Sequence, residues 1–137
     1  MKKVAIIVLV IIASCYGCSK DDTETSKFVT GTFSGQKTVH YFITNYDFTD
    51  TITIVFEGTK YTYFGSASTH PPDFGYGSFL IENNSFEFED EVARIALYTL
   101  DWILAGKHQY RTFGDSLILN QNSSSLQISC KLKKMTK

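Results

Sequence analysis

The chain has few of the residues that build reactive sites. Its three histidines, His40, His70 and His108, include no pair at a metal-ligand spacing, and Cys130 stands far from the other two cysteines, Cys15 and Cys18. Nothing in that pattern supplies a zinc ligand set. There is no Gly-x-Ser-x-Gly elbow, no glycine loop that would cradle a phosphate and no helix-borne histidine pair. Acids cluster at Asp21-Asp22 and at Glu87, Glu89, Asp90 and Glu91. Consecutive and alternating acids of this kind describe a solvated face, whereas a glycosidase needs two carboxyls facing each other across a cleft. The loop spacing of a calcium-binding EF-hand is also missing. The sequence therefore assigns no catalytic residue, no metal ligand and no cofactor, and the chain reads as a non-enzyme.

Charge of one sign is scarce too. The net charge is −1, and removal of residues 1–17 would take away Lys2 and Lys3, leaving 11 positive against 14 negative side chains, or −3. A weakly acidic chain lacks the electrostatic footprint of a nucleic-acid binder. Its basic cluster, Lys131, Lys133 and Lys134, reads as a solvated strand edge or tail. The two prolines, Pro71 and Pro72, fall together in Thr69–Asp73, a rigid loop that has no place in a central strand. No apolar run reaches the roughly 20 residues that span a bilayer as a helix. The longest is Val4–Ala13, behind the basic start Met1-Lys2-Lys3. A short apolar run after a basic start, followed by small residues, is a secretory signal peptide.

The segment after that run resembles the lipobox of bacterial lipoproteins: an aliphatic residue, two small ones, then the cysteine that takes the lipid. Ile12-Ala13-Ser14-Cys15 fits this pattern well. Cys15-Tyr16-Gly17-Cys18 fits less well because Tyr16 is bulky, yet Cys18-Ser19-Lys20-Asp21-Asp22 is similar to the mature start of Bacteroidota-type lipoproteins. The resemblance implies a signal peptide over 1–17, a lipid (palmitate) on Cys18 with Cys15 as the alternative, and a flexible tether over 18–27. It also implies a lipid-anchored place at the cell outer membrane, facing the periplasm or the surface. Several acyl chains on one cysteine, at about 0.8 kcal/mol per buried CH₂, make a durable anchor. With Cys18 lipidated and Cys15 removed, Cys130 has no disulfide partner. It alternates with Leu126, Ile128 and Leu132, as a small buried hydrophobe would.

Residues 28–137 form one domain, rich in aromatics: Phe 11, Tyr 8 and Trp 1 in the whole chain. Its dominant signal is period two, broken by turn residues. Ile52, Ile54 and Phe56 alternate with Thr51 and Thr53 before Glu57-Gly58-Thr59. Tyr61 and Tyr63 follow, then Tyr76–Ile81, then the turn Glu82-Asn83-Asn84. Phe86 and Phe88 alternate with Glu87 and Glu89. A long strand is expected over Ile103–Phe113, broken at Gly106, with a hairpin turn at Phe113-Gly114-Asp115. Leu117 and Leu119, a polar loop Asn120–Ser125 and the strand Leu126–Leu132 end the domain. An early pair, Val29–Phe33 and Thr38–Ile43, brings the count to about eight strands. Glu91–Leu100 has mixed periodicity and reads as a short helix or irregular structure. Closure removes exposed edges, so the expectation is an all-β, antiparallel, up-and-down barrel.

Phe86-x-Phe88, then Asp101-Trp102-x-Leu104, then Gly114-Asp115-Ser116-Leu117-x-Leu119 occur in an order that resembles the C-terminal half of small lipocalin-like (calycin) domains. Gly31-Thr32-Phe33 stands where lipocalins carry Gly-x-Trp, the Trp that plugs the closed end. The resemblance implies a binding protein for a small apolar ligand. Tyr61, Tyr63, Tyr76, Phe79, Trp102 and Tyr110 are the candidate ligand-binding residues. The alternative is that these rings fill the core, since an eight-stranded barrel interior is just wide enough for side chains. The domain would then be a protein- or glycan-interaction module acting on an envelope partner.

Overall fold

The computed structural model describes residues 29–66, 74–92 and 104–136. The expected signal peptide and tether, both N-terminal cysteines, Thr69–Asp73, Trp102 and most of Glu91–Leu100 lie outside them. Eight antiparallel strands follow in chain order: β1 (Gly31–Tyr41), β2 (Tyr46–Glu57), β3 (Lys60–Gly65), β4 (Phe74–Glu82), β5 (Ser85–Asp90), β6 (Gly106–Phe113), β7 (Ser116–Asn122) and β8 (Leu126–Lys134). Each pairs with its sequence neighbour, and β1 pairs with β8 as well, so the sheet closes into an up-and-down barrel.

The expected early pair of strands is one continuous strand. Phe33, Lys37 and Val39 are all buried on one face of β1, and its register against β2 runs unbroken from Gly31↔Phe56 to Tyr41↔Tyr46. The polar stretch Ser34-Gly35-Gln36 gives no apolar alternation, but two flanking strands supply every backbone partner it needs. Two boundaries also move. The β6 strand begins at Gly106, whose φ of 75° sets the entry, so the break expected there is a start. Asn120–Asn122 extend β7, leaving Ser123–Ser125 as the loop.

The two ends of the barrel differ. At one end β2–β3, β4–β5 and β6–β7 are joined by two-residue turns. Asn83 and Asn84 carry φ of 48° and 60°, the paired left-handed conformation of a type I′ hairpin. The chain enters β1 and leaves β8 at this same end, where Met135 N–H donates to Thr32 O at 2.8 Å and Lys134 N–H to Asp115 O at 2.7 Å. The strand ends that flank the four longer connections, Tyr41 and Tyr46, Gly65 and Phe74, Asp90 and Gly106, and Asn122 and Leu126, all lie at the other end. Phe33 lies near the closed end, wholly buried, edge-on to Phe56 with ring centroids 5.8 Å apart, and Lys134 Nζ stands 5.7 Å from its ring.

Inward positions carry the apolar residues and outward positions the charges: Phe86 and Phe88 against Glu87 and Glu89, Cys130 and Leu132 against Lys131 and Lys133. This is the reverse of a membrane-spanning barrel, whose outward face is apolar. Because the barrel is closed, β8 is no edge. Its lysines belong to a continuous outer wall.

Candidate functional site

The interior is lined by ring against ring. Phe56 from β2 contacts Phe79 of β4 at 5.2 Å, Phe86 of β5 at 5.7 Å and Phe88 at 6.4 Å. Phe86 meets Tyr110 of β6 at 5.0 Å, and Tyr61 of β3 meets Phe88 at 5.0 Å. Burying rings of this size contributes about 1.5–3 kcal/mol each. Edge-to-face contacts add to that. Tyr61 and Tyr63 are both buried and stack 6.2 Å apart. The Tyr61 hydroxyl donates to Leu104 O at 2.8 Å, satisfying its polar end inside the core.

Of the six candidate ligand-binding residues, Tyr61, Tyr63, Phe79 and Tyr110 come together in this interior. Tyr76 does not: it points outward, 44% exposed, and joins Phe74 and Phe64 in an outer patch of rings with centroids 6.1 and 5.4 Å apart. Its neighbours Gly75 and Gly77 take the inward positions of β4, so the alternation carries Tyr76 outside. Trp102 lies outside the described residues. The rings that sequence reasoning did not select, Phe33, Phe56, Phe86 and Phe88, are as buried as those it did.

Two polar residues share the interior and were not selected either. Lys37 is 2% exposed and His108 is fully buried, in contrast to the surface or satisfied role a scattered histidine suggests. The signal was present for both: Lys37 is two residues from Val39, and His108 two from Tyr110, in period with the inward face. The His108 Nδ1–H donates to Gly106 O at 3.2 Å, which leaves Nε2 as a lone-pair acceptor, buried and without a hydrogen-bond partner among the described residues. Burial lowers the His108 pKa to about 4; the Gly106 carbonyl opposes this shift and the Lys37 charge adds to it. His108 is therefore neutral at physiological pH. The other described histidine, His40, is bonded to Asp47 at 2.7 Å beside the β1–β2 connection. Among the described residues no three metal-ligating side chains come together.

The outer wall is divided by charge. On β4 and β5, Glu82, Glu87 and Glu89 are exposed and Glu91 pairs with Lys60. Next to that wall, where Glu87 of β5 faces Lys107 of β6, the strands β6, β7 and β8 form a groove of about 850 Å³. Lys107, Arg111 and Lys131 line it with amide side chains and Ser129, and no carboxylate is among its described lining residues. At the loop end, Phe42, Ile43 and Tyr46 are 48%, 87% and 57% exposed.

No protein-family model, curated protein or solved structure matches the chain.

Proposed function

We propose that this is a lipid-anchored protein of the cell envelope whose barrel is filled by its own aromatic side chains and works through its outer surface. The observation that carries the reading is the cluster around Phe56, where rings from β2, β4 and β5 touch one another across the interior. A cavity for an apolar guest needs that volume, and close-packed rings exclude the guest. The anchor half of the reading rests on the resemblance of residues 1–22 to a lipoprotein start. Its geometry is favourable, because Val29 leads into β1 at the end closed by two-residue turns. A tether over 18–27 would hold that end toward an outer-membrane leaflet and turn the loop end away from it.

A second reading, an internal site for a small apolar ligand, has one specific observation in its favour. The unpartnered Nε2 of His108 is a buried acceptor two residues from the loop-bearing end of β6. Titration with N-phenyl-1-naphthylamine, which fluoresces in apolar cavities, separates the two. The filled barrel leaves the dye dark. A saturable, one-to-one rise in fluorescence would transfer the case to the internal-ligand reading.

A further inference from the structure

We propose that the outer groove of β6, β7 and β8 binds an acidic polysaccharide, an inference that rests on the reading that the barrel acts through its exterior. The ladder register assembles the site. Arg111 on β6 lies opposite Ile118 on β7, and Ile118 opposite Lys131 on β8, so two cations flank one apolar residue in a single row. The neighbouring row is Gln109, Asn120 and Ser129, three side chains that both donate and accept hydrogen bonds. Lys107 stands two residues from Gln109 on the same outward face, and Gln127 faces it from β8 within the same groove. Lys107, Arg111 and Lys131 form no ion pair with any described residue, whereas Lys133, just beyond the groove, is held at 3.5 Å by Asp115.

This composition selects a ligand class. Three cations with no carboxylate among the described lining residues call for a polyanion, and the amide row calls for hydroxyl groups along the same chain. With strands about 4.8 Å apart, Arg111 and Lys131 sit roughly 10 Å from each other across β7. That separation suits a chain bearing one carboxylate or sulfate per disaccharide, its hydroxyls meeting the amides between. A nucleic-acid duplex carries a charge every ~1.7 Å and demands a denser cationic surface than three side chains supply. A membrane surface is flat, whereas this site is concave. The acidic wall of β4 and β5 adjoins the groove, with Glu87 facing Lys107 from β5, and repels the same ligand at that border.

Heparin serves as the probe. The full chain, extracted in a nonionic detergent, should be retained on immobilised heparin at low salt and released by added salt, with no retention on neutral dextran. Replacing Arg111→Gln and Lys131→Gln together should weaken heparin binding by roughly tenfold or more. Both side chains are exposed, so the melting temperature should stay unchanged. Glu57→Lys, on β2 across the barrel from the groove, should leave binding within about twofold. Full affinity in the double variant would overturn the groove, and equal competition by single-stranded DNA would overturn the polysaccharide assignment. An organic extract of the same sample reports on the reading beneath. A stoichiometric apolar molecule beyond the detergent blank would overturn the exterior-acting barrel, whereas no retention with a blank extract would overturn the polysaccharide inference alone.

Discussion

The Tyr61 hydroxyl donates to the carbonyl of Leu104 at 2.8 Å, tying the strand β3 to the residue that leads toward β6 through the inside of the barrel. Both residues are buried, so the bond is shielded from water. Removing the hydroxyl strands the Leu104 carbonyl, and a buried acceptor left unpaired costs about 1–3 kcal/mol. Tyr61→Phe should therefore lower the urea midpoint by that free energy while the ring stays packed on Phe88. An unchanged midpoint would mean that water reaches the Leu104 carbonyl.

Acid should loosen the barrel through His108. In the unfolded chain this histidine takes up a proton near its ordinary 6.5, while the folded core resists protonation until about 4. Acidification between those values favours the unfolded chain. The contribution is intact above 6.5, falls through the window, and is fully lost below the folded pKa, a total of roughly 3 kcal/mol. The comparison of wild type with His108→Phe by urea denaturation at pH 7.5 and pH 5 isolates it. Wild type should lose more stability than the variant on going to pH 5; parallel losses would contradict a buried, neutral His108.

Two glycines hold neighbouring strands at a distance no side chain allows. A Cβ at Gly35 would lie 2.0 Å from Lys131 O, and one at Gly77 would lie 1.8 Å from Glu89 O, both backbone atoms. Gly35→Ala should push β1 from β8, the contact that closes the barrel, and Gly77→Ala should push β4 from β5. Each should cost about 1–3 kcal/mol or more. Thermal melts check this, with Gly58→Ala as a reference, since nothing lies within 4 Å of a Cβ there, although its φ of 60° carries its own smaller penalty.

The proposed anchor predicts that Cys15→Ser with Cys18→Ser abolishes metabolic labelling by palmitate and releases the protein from membranes. The single variants identify which cysteine carries the lipid. Labelling that survives in the double variant would refute the lipoprotein assignment.

Much of this architecture is legible in the chain. Glu57-Gly58-Thr59, Glu82-Asn83-Asn84 and Phe113-Gly114-Asp115 mark the three tight turns because positive φ restricts which residues fit. Phe86-Glu87-Phe88-Glu89 announces inside and outside because one face meets the core and the other water. The first strand was hidden: Ser34-Gly35-Gln36 breaks the apolar pattern, and Lys37 is a charge on an inward face. Period two also cannot say how a barrel curls. Tyr76 falls outside because Gly75 and Gly77 take the inner positions, and the basic groove exists only because β7 sets Arg111 beside Lys131, twenty residues apart in sequence.

The measurement that bears most directly on the account is the native mass spectrum of residues 19–137, expressed without the proposed leader. The described barrel closes its ladder between Gly31 and Lys134, so this piece contains every strand. A filled interior predicts the mass of the bare polypeptide. A reproducible adduct that disappears on denaturation would contradict it and would identify the molecule the barrel holds.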